Sequence, residues 1–370
     1  MATSMTPPAP RPRKPLAAFE PYVPGRSAEE VMERFGVTTV VKLGSNENPL
    51  GLSPRVRAAI VGALDRLHHY PDGESTRLRR RLAARLGLPP DCFCVANGVD
   101  NVLTCLGLAF LDAGDRCVIG QPTYTAYAAL AKLLGAAPME VPLRDWRFDV
   151  DGTVDAARGA RAVIICNPNN PTGSILRHTE VESLLSRVSS ETLVVLDEAY
   201  AEWVDDPAFP DAVALLLKHP NVLILRTFSK IYGLAGLRVG YAIASPDVTA
   251  ALNQVREPFP VDRLAQVAAE AVLDDDAYVR ASFENNRRGK ADLARAFDAL
   301  GLRHLPTQAN FVLVDLARPA AEVAERLLER GVIIRPGGMW GLPTWARITI
   351  GTPEENVRLA EALSAVVRSA

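Results

Sequence analysis

The sequence lacks a long hydrophobic run. Nowhere do about 18 apolar residues, the length that a helix needs to cross a membrane, follow one another without a charge or a breaker. The first twenty residues are rich in proline but have no continuous apolar core, so they do not match a secretory signal. We therefore expect a cytoplasmic protein with no membrane partner, in which residues 1–45 form a flexible leader and an N-terminal arm.

An excess of charge of either sign is also missing. The 41 basic and 43 acidic residues leave a formal net charge of -2, which provides no attraction to nucleic acid or to an anionic membrane. The five histidines show neither the spacing of a catalytic triad nor that of a metal site. Small polar molecules are therefore the expected partners, and we expect no metal.

Cysteine is scarce, and no pair has C-x-x-C spacing. An odd number of cysteines argues against a disulfide framework. Most of them lie within apolar runs, which predicts buried thiols. The five residues are Cys92, Cys94, Cys105, Cys117 and Cys166.

Short apolar runs alternate with longer stretches of helical spacing over the first two thirds of the chain. The predicted strands are 92–97, 115–120, 138–143, 161–167, 193–199, 221–227 and 238–244, and helical stretches include 55–67, 74–86, 100–111, 123–134 and 179–188. Helical crossovers between strands are typical of a parallel sheet. The sequence therefore predicts an α/β fold with a mainly parallel seven-stranded sheet and helices on both faces.

The alternation of short strand patterns and helical stretches changes after about Val255. A charged helical stretch at 262–300 is followed by strand patterns at 310–316, 331–335 and 346–350. Thr352 before Pro353 is a helix start signal. We expect a large domain of residues 46–255 and a smaller C-terminal α/β domain of residues 256–370.

Polar residues follow several of the predicted strands. Asn170 lies in the segment NPNNPTG, Asp197 lies near the end of the next strand and Tyr200 follows it, and Ser229 and Lys230 follow the strand after that. In open α/β sheets, ligands bind at the carboxyl ends of the strands. These side chains therefore predict a ligand site at one edge of the sheet.

Eight motifs, each of low specificity alone, stand in one order along most of the chain. They are KLGSNENPLG (42–51), HYPDG (69–73), QPTYTAY (121–127), CNPNNPTG (166–173), VVLDEAY (194–200), RTFSKIYGLAGLRVGY (226–241), QANFVL (308–313) and RITIGT (347–352). In this series the sequence resembles the fold-type I pyridoxal-phosphate aminotransferases and, among them, the histidinol-phosphate aminotransferase group. The resemblance implies a transferase of amino groups whose cofactor is pyridoxal 5'-phosphate.

Three catalytic residues are implied by this resemblance. Lys230 forms the Schiff base with the cofactor, and its apolar surroundings in sequence favour the neutral amine that this attack requires. Asp197 pairs with the pyridinium nitrogen, so that the ring can accept electrons. Tyr200 hydrogen-bonds the phenol oxygen of the cofactor.

The same resemblance implies a phosphate cup at the start of the helix GVDNVLTCLGLAFL. The backbone of Val99 and Asp100, the hydroxyl of Ser229 and the guanidinium of Arg238 contribute to it, since a helix N-terminus binds anions. Arg238 stands between buried-looking segments, where an unpaired arginine is costly. The family more often has an acidic residue where this chain has Asn101.

Three further residues are assigned to the cofactor by resemblance. Tyr124 stacks on the pyridine ring, and Asn170 contacts the phenol oxygen and orients the substrate. Tyr70 reaches the cofactor phosphate of a neighbouring subunit, which implies a homodimer. From the residues alone, YPDG is equally a β-turn with an exposed tyrosine.

Substrate residues complete the predicted site. Arg347 resembles the arginine that holds the substrate carboxylate, as a planar guanidinium can do with two hydrogen bonds, and its alternative is an arginine on an edge strand. Arg335 and Tyr22 match positions that bind the distal phosphate of the donor or the side-chain carboxylate of glutamate. Asn46 is expected to line the cleft. Asn310 either faces the pocket or caps its own turn.

The leading hypothesis is the transfer of an amino group from histidinol phosphate to 2-oxoglutarate in histidine biosynthesis. An aromatic amino-acid aminotransferase is the nearest alternative, and Met339 and Trp340 could provide apolar surface for a phenyl ring. Decarboxylation of threonine phosphate ranks third. A non-catalytic relative ranks low, because Lys230 and Asp197 are both present.

Overall fold

Strands and helices alternate along most of the chain. The structure is a computed structural model that describes residues 13–18 and 25–368. The strands are β1 (Val41–Lys42), β2 (Phe93–Ala96), β3 (Arg116–Gln121), β4 (Ala137–Pro142), β5 (Ala162–Cys166), β6 (Leu193–Asp197), β7 (Val222–Thr227), β8 (Gly240–Ile243), β9 (Phe311–Asp315), β10 (Val332–Ile333), β11 (Arg335–Pro336) and β12 (Trp345–Thr349). The α-helices are α1 (Ala28–Phe35), α2 (Pro54–Val61), α3 (Thr76–Leu86), α4 (Gly98–Phe110), α5 (Ala126–Leu134), α6 (Val150–Ala156), α7 (His178–Arg187), α8 (Ala212–Lys218), α9 (Pro246–Val255), α10 (Arg263–Val272), α11 (Asp276–Ala299), α12 (Ala320–Leu328) and α13 (Pro353–Arg368).

The large sheet has seven strands in the order β2-β8-β7-β6-β5-β3-β4. Four neighbouring pairs from β7 to β4 are parallel, and β8 runs antiparallel to both β2 and β7. Each of the seven predicted strands overlaps an observed one. The predicted mainly parallel seven-stranded sheet is therefore confirmed.

Helices cover both faces of this sheet, so its strands are apolar on both sides. Along β6, Val194 and Leu196 pack in one core with α3, α7 and α10, whereas Leu193 and Val195 pack in a second core with α4. Successive side chains of a strand point to opposite faces, and a continuous apolar run is typical of a strand that is buried on both. Along β5 and β6 every residue is buried, and the carboxylate of Asp197 stands at the end of β6.

The C-terminal part has its own core around the antiparallel sheet β11-β12-β9. Helices α11, α12 and α13 contribute to this core, and so do Val41 and Leu43 from the N-terminal arm. Strand β1 of the arm pairs in parallel with β10. The arm therefore packs against the small domain, while the division at residues 45 and 255 stays a prediction.

Local details depart from the sequence expectations in two places. The helical stretch 262–300 is two helices, because α10 ends at Val272 and Asp275 caps the start of α11 by accepting a hydrogen bond from Tyr278 N at 3.2 Å. The strand pattern 331–335 divides into two strands that belong to different sheets: β10 pairs with β1, and β11 pairs with β12.

Two other local expectations, the start of α13 and the buried cysteines, are confirmed. Thr352 Oγ1 accepts from Glu355 N at 3.2 Å while Glu355 Oε2 accepts from Thr352 N at 2.8 Å, so the predicted start of α13 is a capping box. All five cysteines are free and buried. Among the described residues, no helix is long and apolar enough to cross a membrane, and no cluster of three potential metal ligands occurs.

Candidate active site

Three strand ends of the large sheet and one strand of the small domain meet at the candidate active site. Asn170, Asp197 and Lys230 stand at or just beyond the carboxyl ends of the parallel strands β5, β6 and β7. Arg347 on β12 reaches them, and its Nη1 donates to Asn170 Oδ1 at 2.7 Å. Lys230 Nζ lies 5.5 Å from the ring centroid of Tyr200. The fold thus gathers residues that are far apart in sequence.

Lys230 lies in a setting that disfavours its ammonium form. Its Nζ donates to the carbonyl of Ser45 at 3.4 Å. Burial, and next the positive charge of Arg347, lower the pKa of Lys230 from 10.5 to about 8, while Glu47 and Asp100 act in the opposite direction. About a tenth of the amine is therefore neutral at pH 7, as the apolar sequence around Lys230 predicts.

Asp197 is the last residue of β6 and is 3% exposed. Burial raises the pKa of this carboxyl to about 6. Two donors counteract burial by stabilising the ionised form: Tyr127 Oη donates to Asp197 Oδ2 at 2.6 Å, and Ala199 N donates to Oδ1 at 3.0 Å. Asp197 is consequently a buried anion at neutral pH.

Tyr127 is a site residue that the sequence reasoning missed. It lies three positions after Tyr124 at the start of α5, and the two rings meet edge to face at a centroid distance of 5.5 Å. Tyr124 precedes the helix, and Tyr127 N donates to the carbonyl of Tyr124 at 3.3 Å, so the turn before α5 brings the two side chains together. This spacing in QPTYTAY was the available signal, although it does not identify Asp197 as the partner.

Tyr200 is buried below the cleft and contacts the N-terminal arm. Its hydroxyl accepts a hydrogen bond from Asn46 Nδ2 at 2.9 Å, and its ring packs edge to face on Phe311. Burial raises the pKa of Tyr200 well above its ordinary value, so the phenol keeps its proton. Asn46 is 1% exposed, and in this structure it supports Tyr200 at the floor of the cleft.

The residues predicted to form a phosphate cup come together at the N-terminus of α4. Gly98 begins this helix with a φ of +77°, a conformation that favours glycine, and a Cβ at this position would stand 2.7 Å from Arg238 Nη2. Arg238 Nη1 donates to Ser229 Oγ at 3.4 Å. Backbone N–H groups, a hydroxyl and a guanidinium thus meet within one cup.

Two expectations about the cup need correction or completion. Arg238 is not buried without a partner: its side chain is 45% exposed and lies 3.3 Å from Asp100 Oδ2. The other oxygen of Asp100 accepts from Tyr124 Oη at 2.9 Å. Asn101 Oδ1 accepts from Asn97 N at 3.3 Å, so an amide takes the helix-start role of the acidic residue.

The small domain contributes two arginines. Arg347 is 6% exposed, donates through Nη2 to the carbonyl of Gly44 at 2.7 Å, and lies in the central strand of its sheet, so the edge-strand alternative is wrong. Arg335 is its direct partner across the β11–β12 pair, and partners of this kind point to the same face. Tyr22 lies outside the described residues.

Asn310 and Tyr70 take up different surroundings. Asn310 Nδ2 donates to the carbonyl of Asn46 at 3.1 Å, so it holds the backbone of the arm, which neither sequence alternative anticipated. Tyr70 is 78% exposed, and its ring stacks on Phe259 at a centroid distance of 4.6 Å. It is presented at the surface of the chain.

Known proteins resemble this chain over nearly its full length. The family described as aminotransferase class I and II matches residues 38–363. A histidinol-phosphate aminotransferase of Symbiobacterium thermophilum is 47% identical over 96% of this chain and 98% of its own, and one of Moorella thermoacetica is 44% identical over 97% and 93%. The crystal structure of histidinol-phosphate aminotransferase from Sinorhizobium meliloti in complex with pyridoxal-5'-phosphate has a TM-score of 0.90 at 32% identity, covering 98% of this chain and 99% of that one.

Proposed function

This chain belongs to the class I and II aminotransferases, in the histidinol-phosphate aminotransferase group, and we propose that it transfers the amino group of L-histidinol phosphate to 2-oxoglutarate with pyridoxal 5'-phosphate as its cofactor. The observation that carries the proposal is the site itself. A lysine with a pKa of about 8 shares one cleft with a buried carboxylate and an anion-binding helix N-terminus.

The described residues fit this cofactor group by group. Lys230 matches its aldehyde, the Asp197 carboxylate its ring nitrogen and the Tyr200 hydroxyl its phenol oxygen. Tyr124 is assigned to the ring face and Asn170 to the phenol oxygen and substrate. The N-terminus of α4 at Val99 and Asp100, with Ser229 and Arg238, matches the phosphate. When bound, the cofactor supplies an electrophilic carbon and a ring that accepts electrons from the substrate Cα.

Lys230 has two tasks in the proposed mechanism. As a neutral amine it would attack the aldehyde of the cofactor and so hold the cofactor covalently; once a donor amine has displaced it, the freed amine would take the proton from the substrate Cα and give a proton back on the cofactor side. Both tasks need an amine that is protonated and deprotonated near neutral pH. A pKa lowered to about 8 suits this alternation.

Asp197 and its donors keep the ring nitrogen protonated. A carboxylate with a pKa of about 6 is ionised at neutral pH, and an anion beside a ring nitrogen favours the protonated form of that nitrogen. Tyr127 and Ala199 N hold the carboxylate in place through both of its oxygens. The electron-accepting power of the ring then depends on a buried charge that the fold supports.

Arg347 and Arg335 are proposed to bind the acidic groups of the two substrates in turn. Histidinol phosphate has a phosphate but no carboxylate, whereas glutamate and 2-oxoglutarate have two carboxylates. Two guanidinium groups on neighbouring strands serve both substrates if Arg335 takes the distal phosphate or side-chain carboxylate and Arg347 takes the α-carboxylate. Tyr22 is proposed to join Arg335.

A single-turnover experiment tests the donor. The cofactor-loaded enzyme is mixed separately with L-histidinol phosphate, phenylalanine, tyrosine and threonine phosphate, and conversion of the cofactor to its amine form is followed by absorbance. Fast conversion with histidinol phosphate alone supports the proposal. Preference for phenylalanine or tyrosine would instead make the chain an aromatic aminotransferase, and release of carbon dioxide from threonine phosphate would make it a decarboxylase.

A homodimer with Tyr70 at the partner's cofactor phosphate is also part of the proposal. The exposure of Tyr70, and the exposed Leu64, Leu67 and Phe259 around it in sequence or space, support a surface that a second copy covers. Mixing inactive Lys230→Ala and Tyr70→Ala variants tests it, since mixed dimers regain one intact site only if Tyr70 acts across the interface.

The buried free cysteines fit an enzyme of the cytoplasm, where thiols stay reduced.

A further inference from the structure

The arm segment 44–48 passes through the cleft between the two domains. Gly44 O accepts from Arg347 and Ser45 O from Lys230. Between them and the large domain lies Asn46, with a φ of +55° and 1% exposure. Asparagine is one of the few residues that tolerate this left-handed conformation. In this conformation the buried side chain of Asn46 contacts Tyr200 of the large domain and Thr349 of the small domain.

The hydrogen bonds around Asn46 have defined directions. Asn46 N donates to Thr349 Oγ1 at 2.9 Å, and the hydroxyl proton of Thr349 is donated to Asn46 Oδ1 at 3.1 Å. Oδ1 thus faces Thr349, and the NH2 group faces Tyr200 at 2.9 Å. An amide NH2 group can only donate.

Tyr200 is consequently an acceptor toward Asn46. Its hydroxyl has a single proton, and that proton must point away from the Asn46 NH2 group. Tyr200 is 5% exposed and Thr349 is 2% exposed, so water competes little for any of these contacts. The orientation of the Tyr200 proton is thus set from β12 of the small domain through the arm.

We propose that Thr349 and Asn46 are positioning residues that direct the Tyr200 proton to the phenol oxygen of the cofactor. The inference rests on the proposed function, because it needs a cofactor whose phenol oxygen accepts from Tyr200. Donation by Tyr200 stabilises the anionic phenol oxygen and makes the Lys230–cofactor linkage release its proton at a lower pH. If the Thr349 hydroxyl is removed, Asn46 can turn Oδ1 toward Tyr200, which then donates to Asn46 instead.

The test is a pH titration of the visible absorbance of the cofactor-loaded enzyme. Thr349→Val is expected to raise the midpoint by about 0.5–1 unit, the size of one lost hydrogen bond, and Asn46→Asp is expected to raise it further because a carboxylate can only accept. Thr349→Ser is expected to keep the wild-type midpoint. Tyr200→Phe alone should raise the midpoint, and adding Thr349→Val to it should cause no further rise.

Thr192→Val is a matched control for the loss of a buried threonine hydroxyl. Thr192 is 2% exposed and donates to Ala160 O at 2.8 Å, away from Tyr200, so its substitution should lower thermal stability without moving the midpoint. An unchanged midpoint in Thr349→Val would overturn the inference. So would a rise in the midpoint that Thr349→Val causes equally in the wild type and in Tyr200→Phe. Either result would assign Thr349 a structural role only.

The proposed function can fail separately from the inference. A wild-type protein without a visible band that depends on Lys230 would contradict the proposed function, and with it the role given to the Tyr200 proton. In that event, unfolding of cofactor-free Thr349→Val, Tyr200→Phe and the double variant still measures whether the two side chains are coupled through Asn46.

Discussion

On the large-domain side of the cleft, burial moves two pKa values toward neutrality: that of Lys230 falls to about 8 and that of Asp197 rises to about 6. On the other side, the small domain presents the planar guanidinium groups of Arg347 and Arg335, which suit the binding of carboxylate and phosphate. In the proposed mechanism, proton transfer thus belongs to one side of the cleft and anion binding to the other. The two sides are nevertheless coupled, because the charge of Arg347 helps to lower the pKa of Lys230.

The largest expected effect is that of Lys230→Ala. It should abolish transamination, a loss of more than about 10⁴-fold, because both the covalent attachment and the proton transfer are removed. Circular dichroism should show an intact fold. Lys290→Ala is the matched control, since burial also lowers the pKa of Lys290, which lies 3.9 Å from Asp205. Retained transamination in Lys230→Ala would sink the assignment of the whole site.

Arg347→Lys separates the two half-reactions. It keeps a positive charge but loses the planar fork, so the 2-oxoglutarate half-reaction should weaken about 10- to 100-fold in apparent affinity, as expected for lost hydrogen bonds to a charged group. The half-reaction with histidinol phosphate, which has no carboxylate, should change less. Stopped-flow single turnovers measure both. Equal losses would show that Arg347 does not discriminate between the substrates.

The pKa of Lys230 predicts a pH profile for cofactor capture by the cofactor-free protein. Only the neutral amine reacts, so the rate should rise about tenfold per pH unit below about pH 8 and level off above it. Removing the charge in Arg347→Gln should raise the pKa of Lys230 and shift the bend to higher pH. A bend that stays in place would mean that the two sides of the cleft are electrostatically independent.

Tyr127→Phe should have the smallest effect of the four. Without this donor the pKa of Asp197 rises above about 6, so the carboxylate is lost at a higher pH. Cofactor affinity should fall by a few-fold at pH 8 and by about tenfold at pH 6, as measured by equilibrium titration. Tyr278→Phe, which removes a hydroxyl that donates to Gly51 O at 2.6 Å, should leave this pH dependence unaltered.

Much of the fold was readable from local patterns. Strands β2 to β8 are apolar runs bounded by polar residues, and the start of α13 shows in Thr352 and Pro353 because capping involves neighbours in sequence. The break between α10 and α11 was not foreseen, since helical spacing continues across it. Nor was the pairing of β10 with the arm, because a two-residue strand carries too little pattern to name its partner.

By itself, the sequence determined the mainly parallel sheet, the order of the polar strand ends and the presence of Lys230 and Asp197 among them, since each depends on residue type and short-range spacing. Tertiary structure alone decided the partners of these groups. Tyr127 meets Asp197 across 70 residues, and Thr349 meets Asn46 across 303. Burial shifts the pKa values of Lys230 and Asp197. It likewise arises only when segments that are distant in the chain exclude water together.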